Sequence, residues 1–177
     1  RVIAIAGAGG GLGPVVAQRL ADAGASLALA DRSQEIVDNV PRDLGLPDER
    51  VDPRAVDLLD ESQTSEWAAV TAEKFGRVDG LLHLVGGYRG GDAIEAFDLA
   101  DYEFLHGLLV RTLQLTTRAF YASLTTSEHG RFVLVSAAAA QNPQNTNAAY
   151  ASAKAAAEAW TLALADSFMG TREGEGP

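Results

Sequence analysis

The sequence has no cysteine among its 177 residues. This absence excludes disulfide bonds, thiolate metal ligands and a cysteine nucleophile. Proteins of reducing compartments do without disulfides, so we expect a cytoplasmic protein. The chain also has no apolar run long enough to span a bilayer and no basic-then-apolar leader, and we therefore expect no membrane partner.

Positive charge is scarce as well. Lysine and arginine together number 14 against 24 aspartates and glutamates, which gives a formal net charge of -10. Nucleic acids attract clustered basic residues, so this balance predicts no nucleic-acid partner. His83 lies in an apolar run with no second histidine or carboxylate at ligand spacing, which favours a core histidine and predicts no metal site.

What the chain does contain is an ordinary globular mixture, with 47% hydrophobic and 21% charged residues. A chain of this length can bury a substantial core, and we expect residues 1–177 to form a single domain. Short apolar runs alternate with helical patterns, which predicts an α/β fold with a parallel sheet and right-handed crossovers. The predicted strands are 2–6, 26–30, 54–56, 79–85 and 131–135, and the predicted helices include 15–24, 61–75, 99–127 and 148–169. Residues 33–53 are expected to form a polar helix and a loop, with Pro41, Pro47 and Pro53 as breakers.

A glycine-rich segment joins the first predicted strand to the first helix. It reads Gly7-Ala8-Gly9-Gly10-Gly11-Leu12-Gly13. Leu12 stands where the commoner G-x-G-x-x-G spacing requires glycine, and the spacing that fits is G-x-x-x-G-x-G through Gly7, Gly11 and Gly13. Backbone amides and the positive end of the helix dipole then converge on one spot, which suits a diphosphate. The alternative is a flexible loop that is merely rich in glycine.

An acidic residue, Asp31, ends the second predicted strand. At this place a carboxylate can accept hydrogen bonds from the adenosine ribose hydroxyls, and its charge repels a 2′-phosphate. The position therefore favours NAD over NADP as the cofactor, although the guanidinium of neighbouring Arg32 could pair with a phosphate. Asp31 could instead cap the following helix, as could Ser33.

The fourth predicted strand ends at a second glycine cluster, residues 86–91, which directly follows Val85. In a doubly wound sheet the carboxyl end of this strand lies beside that of the first strand. Val85, Gly86 and Gly87 are therefore predicted to border the same nucleotide site as the first glycine segment.

Tyr150 and Lys154 are four residues apart on the last predicted helix and share one face of it. An ammonium group near a phenol favours the phenolate, which makes a tyrosine a usable acid/base for an alcohol–carbonyl couple. The alternative is an incidental pair on a helix surface. Ser136, at the end of the fifth predicted strand, and the glycine segment upstream favour the catalytic interpretation.

Together these features resemble the short-chain dehydrogenase/reductase family over essentially the whole chain. The matching parts are the glycine spacing, Asp31, Asp57-Leu58 after the third strand, the Val85-Gly86-Gly87 turn, Ser136, and Tyr150-Ala151-Ser152-Ala153-Lys154. The resemblance implies a doubly wound Rossmann fold with helices on both faces of the sheet, a nicotinamide cofactor, and a tyrosine that exchanges a proton with the substrate oxygen. It also implies that Lys154 bonds the nicotinamide ribose and that Asp57 and Leu58 lie against the adenine.

Several positions depart from the family's pattern. The family's fourth strand usually ends Asn-Asn-Ala-Gly, whereas this chain reads His83-Leu84-Val85-Gly86. The family's active serine is usually the second of a Ser-Ser pair, and Ala137 takes that place here, so Ser136 would serve only if the loop shifts by one residue. The family's asparagine in the long helix aligns with Leu109. The family's last two strands lie outside the sequence, so the fold is expected without its C-terminal part.

The sequence leaves two functions open. The first is an NAD(P)-dependent oxidoreductase that moves hydride between nicotinamide and a small alcohol or carbonyl substrate, with Tyr150 as acid/base, Lys154 tuning it and Ser136 steadying the substrate oxygen. The second is a nucleotide-binding or scaffold protein of the same fold with little catalysis. In either case the resemblance implies a homodimer or homotetramer formed through the long helices.

Overall fold

The computed structural model describes residues 1–173, and the side chains of residues 1–169. Its strands form one sheet in the order β3-β2-β1-β4-β5. They are β1 (Val2–Ala6), β2 (Ser26–Asp31), β3 (Val51–Ala55), β4 (Gly80–His83) and β5 (Arg131–Leu134). The chain moves outward from β1 through β2 to β3 and then continues on the other side of β1, in parallel register with it. This reversal of direction confirms the predicted doubly wound α/β sheet.

Helices connect the strands. They are α1 (Gly13–Asp22), α2 (Gln34–Leu44), α3 (Glu61–Phe75), α4 (Leu99–His106), α5 (Thr112–Thr126) and α6 (Ala148–Glu173). A π-helical turn, Gly107–Arg111, joins α4 to α5, so the predicted helix over 99–127 is one helical stretch with an irregular centre. Helix α6 extends to Glu173, beyond its predicted end at residue 169. Within the described residues, no helix combines the length and apolarity needed to cross a membrane.

The chain divides into two compact units. The first comprises residues 1–85 and 115–133, and the second comprises residues 86–114 and the chain from residue 134 on. The single domain predicted over 1–177 therefore stays a prediction. The core of the first unit is built on buried strand residues of β1 and β2 with Val37 of α2. The core of the second unit packs Leu105, Leu109 and Val110 against Ala149 and Ala153 of α6.

The ends of α3 agree with the predicted range 61–75. The Asp60 carboxylate accepts hydrogen bonds from the backbone amides of Ser62 and Gln63, so it satisfies the free donors of the first turn. At the other end Gly76 adopts a φ of 72°, a left-handed conformation that glycine tolerates best. Between these signals Trp67 is buried and meets the ring of Phe120 edge-on, with ring centroids 4.7 Å apart.

Strand β3 begins at Val51 rather than at residue 54, and Pro53 lies inside it, so the prediction that Pro53 breaks the structure is wrong. The position is tolerable because β3 is an edge strand and its outer side needs no partner strand. Side chains occupy that side instead. Gln34 donates to the Pro53 carbonyl at 3.4 Å and accepts from the Ala55 amide at 2.9 Å, while Lys74 donates to the Val51 carbonyl at 2.8 Å.

Helix α2 also runs through a proline. Pro41 lies inside Gln34–Leu44, and the helix ends only at Gly45, which has a φ of 60°. The predicted break at Pro41 is wrong because packing sustains the helix despite the hydrogen bond that proline cannot make. Val37 and Val40 are buried in the core of the first unit.

Candidate active site

The glycine segment leaves β1 through a tight turn within the first unit. Gly7 has a φ of 79°, and a Cβ built on it would lie 2.9 Å from the backbone nitrogen of Val85. The amides of Gly7 and Ala8 both donate to the Ala30 carbonyl, at 2.9 and 3.0 Å. The turn therefore holds the start of the segment against the carboxyl ends of β2 and β4, and only glycine fits at its first position.

Gly13 and Gly11 serve different purposes. A Cβ on Gly13 would collide with the backbone carbonyl of Ala8, so the missing side chain permits the loop to close onto the start of α1. A Cβ on Gly11 would meet no atom within 4 Å. Gly9 lies between these two cases, because a Cβ there would contact the Ile36 side chain, which can move aside. The fold therefore requires glycine at 13, whereas position 11 is open towards whatever approaches the loop.

Free backbone donors lie on the same segment. The Gly10 amide donates to the Gly7 carbonyl at 3.2 Å and the Gly13 amide to the Gly10 carbonyl at 3.1 Å. In the described part of the chain, the amides of Gly11 and Leu12 donate to no protein acceptor. These amides stand at the N-terminus of the ten-residue helix α1. Unpaired donors and a helix dipole at an open glycine fit the diphosphate of a dinucleotide.

Asp31 lies directly beside the glycine segment. One oxygen of its carboxylate accepts from the Gly9 amide at 3.0 Å, and the other accepts from the Arg32 amide at 2.8 Å. Helix α2 is capped by Ser33, whose hydroxyl accepts from the Ile36 amide at 3.4 Å. The alternative role of Asp31 as a helix cap is therefore excluded, and its carboxylate joins the end of β2 to the predicted nucleotide loop.

The segment after β3 reaches the same edge of the sheet. The Val56 amide donates to the Asp31 carbonyl at 2.8 Å, which brings Asp57 and Leu58 close to the end of β2. Asp57 is exposed and its carboxylate accepts from the Leu59 amide at 3.0 Å. The Leu58 side chain is buried. Within the first unit the structure thus brings together the glycine segment, Asp31, Asp57-Leu58 and Val85.

Tyr150 and Lys154 lie one turn apart on α6, within the second unit. The Lys154 side chain is 5% exposed, and its Nζ lies 5.9 Å from the centre of the Tyr150 ring. The same Nζ donates to the Val135 carbonyl at 2.8 Å, so the ammonium is held in place by the residue that follows β5. Burial lowers the pKa of Lys154 below its usual value, and the negative charge of Glu158 acts in the opposite direction.

Glu158, one turn further along α6, was not predicted as a site residue. Its carboxylate accepts from the Ser136 hydroxyl at 2.5 Å and from the Gln141 side-chain amide at 3.3 Å. The hydroxyl proton of Ser136 is therefore committed to Glu158. The four-residue spacing between Lys154 and Glu158 is visible in the sequence, but the bond of Glu158 to Ser136 depends on the path of the loop after β5.

Tyr88 is the second residue that the sequence interpretation missed. It follows Gly86 and Gly87 in the glycine strap, as we call residues 86–91. Its ring meets the Tyr150 ring edge-on, with centroids 5.0 Å apart and planes at 70°. A Cβ on Gly87 would lie 2.7 Å from the Leu108 side chain, so the missing side chain lets the strap pass close to the π-helical turn.

Two departures from the family's pattern occupy buried positions. His83 is 1% exposed, and its Nδ1 lies 3.3 Å from the Thr116 hydroxyl, which agrees with the prediction of a core histidine. Leu109 is 2% exposed and belongs to the core of the second unit, so its position holds an apolar packing side chain. Among the residues whose side chains are described, no group of three or more histidines and carboxylates could hold a metal ion.

Comparison with known proteins adds an independent finding. Residues 1–172 match the family model described as short chain dehydrogenase. Levodione reductase of Leifsonia aquatica is 35% identical over 105 residues, which cover 58% of this chain and 39% of that protein. The 2,3-dihydro-2,3-dihydroxybenzoate dehydrogenase of Bacillus subtilis (strain 168) is 31% identical over 170 residues, which cover 93% of this chain and 62% of that protein. The chain thus spans less than two thirds of either relative.

A solved structure agrees with the fold. The 3-ketoacyl-(acyl-carrier-protein) reductase of Brucella melitensis, complexed with NADH, aligns with a TM-score of 0.85 at 24% identity. The alignment covers 97% of this chain and 71% of that chain. At this level of identity the likeness demonstrates a shared fold and nothing finer.

Proposed function

The chain belongs to the short-chain dehydrogenase/reductase family, and on that premise we propose that it acts as an oxidoreductase. It moves hydride between a nicotinamide cofactor and a small alcohol or ketone. The observation that carries this proposal is the buried Lys154 ammonium, fixed 5.9 Å from the Tyr150 ring. A buried cation beside a phenol favours the phenolate, which suits acid–base exchange with a substrate oxygen.

The residues of the first unit fit a dinucleotide. The free amides of Gly11 and Leu12 suit its diphosphate, and the Asp31 carboxylate suits the adenosine ribose. By family resemblance, Asp57 and Leu58 would lie against the adenine, and Val85, Gly86 and Gly87 would border the rest of the cofactor. The Asp31 carboxylate would repel the 2′-phosphate of an NADP bound in this way, so we propose NAD as the cofactor. When bound, the nicotinamide supplies or accepts the hydride.

The chain's own residues handle the proton. In the reduction of a ketone, the Tyr150 hydroxyl donates its proton to the carbonyl oxygen, and in the oxidation of an alcohol it takes that proton back. The Lys154 charge stabilises the phenolate left behind. The Val135 carbonyl fixes the Lys154 ammonium, whose other protons remain available for the nicotinamide ribose.

Ser136 enters this proposal in a weaker role than the sequence suggests. Its hydroxyl donates to Glu158, so a bond to the substrate oxygen would require that hydrogen bond to break. We expect Ser136→Ala to lower kcat by less than about threefold, which corresponds to a minor loss of transition-state stabilisation. A loss of a hundredfold would show that the serine rotates into catalysis, and steady-state kinetics distinguishes the two results.

The test of the proposed function is Tyr150→Phe, which keeps the ring and removes the hydroxyl. We expect kcat/KM on a ketone substrate to fall by about 10²–10⁴-fold, the usual contribution of a general acid–base group. Affinity for NADH, followed by its fluorescence, should remain near the wild-type value. Tyr102→Phe, on α4, is the matched control and should leave both quantities unchanged. Wild-type turnover by Tyr150→Phe would refute the mechanism.

A second candidate function is nucleotide binding without turnover. Two observations favour it: Ala137 stands at the place of the family's active serine, and Leu109, at the place of its asparagine, is buried in an apolar core. Binding of NADH without turnover of any member of a broad panel of ketones and alcohols would support this function. Turnover that depends on Tyr150 would exclude it.

The assembly and location of the protein are proposals on the same premise. The family implies a homodimer or homotetramer, and sedimentation velocity at several concentrations tests this. A single monomeric species at every concentration would contradict the proposed assembly. A cytoplasmic location agrees with the absence of cysteine.

A further inference from the structure

Tyr88 presents an aromatic surface beside the proposed acid/base. Its ring lies edge-on to the Tyr150 ring at 5.0 Å, yet the residue is 60% exposed. Much of the Tyr88 ring is therefore open to solvent next to the residue that we propose to act on substrate. An exposed aromatic ring has a face that a second planar group can cover.

The strap that carries Tyr88 is anchored within the second unit. The Gly91 amide donates to the Thr146 carbonyl at 2.8 Å, which ties the strap to the loop before α6. The Arg89 guanidinium lies 3.6 Å above the centre of the Phe104 ring and pairs with Asp101 at 2.8 Å. These contacts fix the strap directly after Tyr88, and the edge-on contact with Tyr150 positions the Tyr88 ring before a ligand arrives.

The charges near Tyr88 indicate what kind of ligand it suits. The adjacent cation, Arg89, is paired with Asp101 and stacked on Phe104, so a carboxylate already balances its charge. The exposed surface is instead neutral and aromatic. Such a surface favours a flat, uncharged ring over a puckered aliphatic ring of the same size, because a flat ring can stack on it.

We propose that Tyr88 is a specificity-determining residue that selects substrates whose reacting carbonyl or alcohol carbon is attached to an aromatic ring. This inference rests on the proposed function, because it assigns the substrate class of the same site. Tyr88 makes no bond to the reacting oxygen. It acts through the ring of the substrate, so its removal should affect substrate binding more than the chemical step.

The test uses two ketones with the same carbon skeleton, acetophenone and cyclohexyl methyl ketone. Binding of each to the full chain with NAD⁺ is measured by saturation-transfer NMR, and turnover of each is measured with NADH. We expect acetophenone to bind about three- to tenfold more tightly, the range that an aromatic pair contributes beyond burial. Tyr88→Leu should remove this preference, and Tyr88→Phe should retain it. Tyr102→Leu is the control and should behave as the wild type.

Turnover gives a second readout. For each variant, kcat/KM for acetophenone is divided by kcat/KM for cyclohexyl methyl ketone, and this ratio is compared with the wild-type ratio. The comparison cancels the difference in intrinsic reactivity between the two ketones. In Tyr88→Leu this ratio should fall by the same factor as the binding preference, through KM rather than kcat.

Each outcome decides one of the two proposals. Preferential binding of acetophenone that depends on Tyr88 supports the inference, whereas the oxidoreductase function is contradicted only if no member of the broad panel of ketones and alcohols is turned over. Turnover that depends on Tyr150 but not on Tyr88 supports the function and overturns the inference. Equal binding of the two ketones by the wild type, or binding of neither, also overturns the inference.

Discussion

Some residues of the first unit have both a structural role and a proposed binding role, and Asp31 is the clearest example. Its carboxylate holds the Gly9 amide and is also proposed to face the adenosine ribose. Asp31→Asn separates the two, because asparagine keeps an acceptor for the amide and loses the charge. We expect NAD to bind more tightly than NADP in the wild type and this preference to shrink about five- to tenfold in the variant, as expected for one charge pair near the surface. Calorimetric titration with both cofactors measures this, and tighter NADP binding by the wild type would contradict it.

The glycine segment allows a matched pair of substitutions. Gly13→Ala places a methyl group against the Ala8 backbone, which cannot turn aside, so we expect it to destabilise the fold by about 1–3 kcal/mol. Gly11→Ala meets no protein atom, so its melting temperature should match the wild type while its affinity for NADH falls. Thermal unfolding and NADH fluorescence measure the two effects. Unchanged NADH affinity in Gly11→Ala would remove this loop from the cofactor site.

The site residues that the sequence reveals have partners close by in the chain, whereas the residues that it misses have distant partners. The glycine spacing and the Tyr150–Lys154 pair were predictable because each is set by spacing within one segment. The bond from Ser136 to Glu158 joins residues 22 apart in the chain, and no periodicity reveals it. Tyr88 was visible within the second glycine cluster, but only the course of the strap brings its ring to Tyr150.

At the scale of elements, helix α6 aligns Tyr150, Lys154 and Glu158 at four-residue intervals. Burial lowers the pKa of Lys154 and Glu158 partly offsets that effect, so Glu158→Gln should lower the pKa of Lys154 further. Lys154 then loses its proton at lower pH, and the alkaline limb of the kcat/KM profile should move to lower pH. The control is Glu103→Gln on α4, which should leave the profile unchanged. An unshifted alkaline limb in Glu158→Gln would show that Glu158 does not tune the lysine.

Element boundaries were predictable where the signals were local. The range 61–75 for α3 follows from Asp60 at one end and Gly76 at the other, both of which act on the adjacent turn. Pro53 was wrongly predicted to break the structure. A sheet tolerates proline in an edge strand, and the strand order decides that β3 is an edge strand. The π-helical turn over residues 107–111 was also missed, since an extra residue in a helical turn leaves no clear mark on a hydrophobic pattern.

At the scale of the whole molecule, Asp79 connects distant parts of the first unit. Its carboxylate is 2% exposed and accepts from the Val2 amide, the Arg77 guanidinium and the Ser127 hydroxyl. Burial raises the pKa of Asp79, but the hydrogen bonds from Arg77, Ser127 and Val2 outweigh it and hold the pKa well below its usual range. The start of β1, the start of β4 and the end of α5 therefore depend on one ionised group.

This dependence predicts how stability varies with pH. Because the folded-state pKa of Asp79 is depressed, its contribution to stability is complete well above the unfolded value of about 3.9. This contribution is lost progressively as the pH falls past that value towards the lower folded-state pKa. Asp79→Asn should lower the free energy of unfolding near neutral pH by about 2–4 kcal/mol, since it disrupts a buried charge network. It should also flatten the loss of stability between about pH 5 and pH 2. Urea unfolding across this range measures both effects, and Asp43→Asn, at an exposed position, is the control. If the free energy of unfolding of Asp79→Asn fell with pH as steeply as that of the wild type, Asp79 would not have the role assigned to it.

The outer edge of β3 has a consequence for how copies of the chain meet at high concentration. An open strand edge is a template on which another polypeptide can align and extend the sheet. Here Gln34 and Lys74 already hold the backbone groups of Val51, Pro53 and Ala55 that an incoming strand would use, and Pro53 has no N–H to donate. A fibril seeded at this edge would first have to displace both side chains and would still lack one donor. Pro53, which the sequence pattern marked as a break in the fold, thus helps to protect this edge against aggregation.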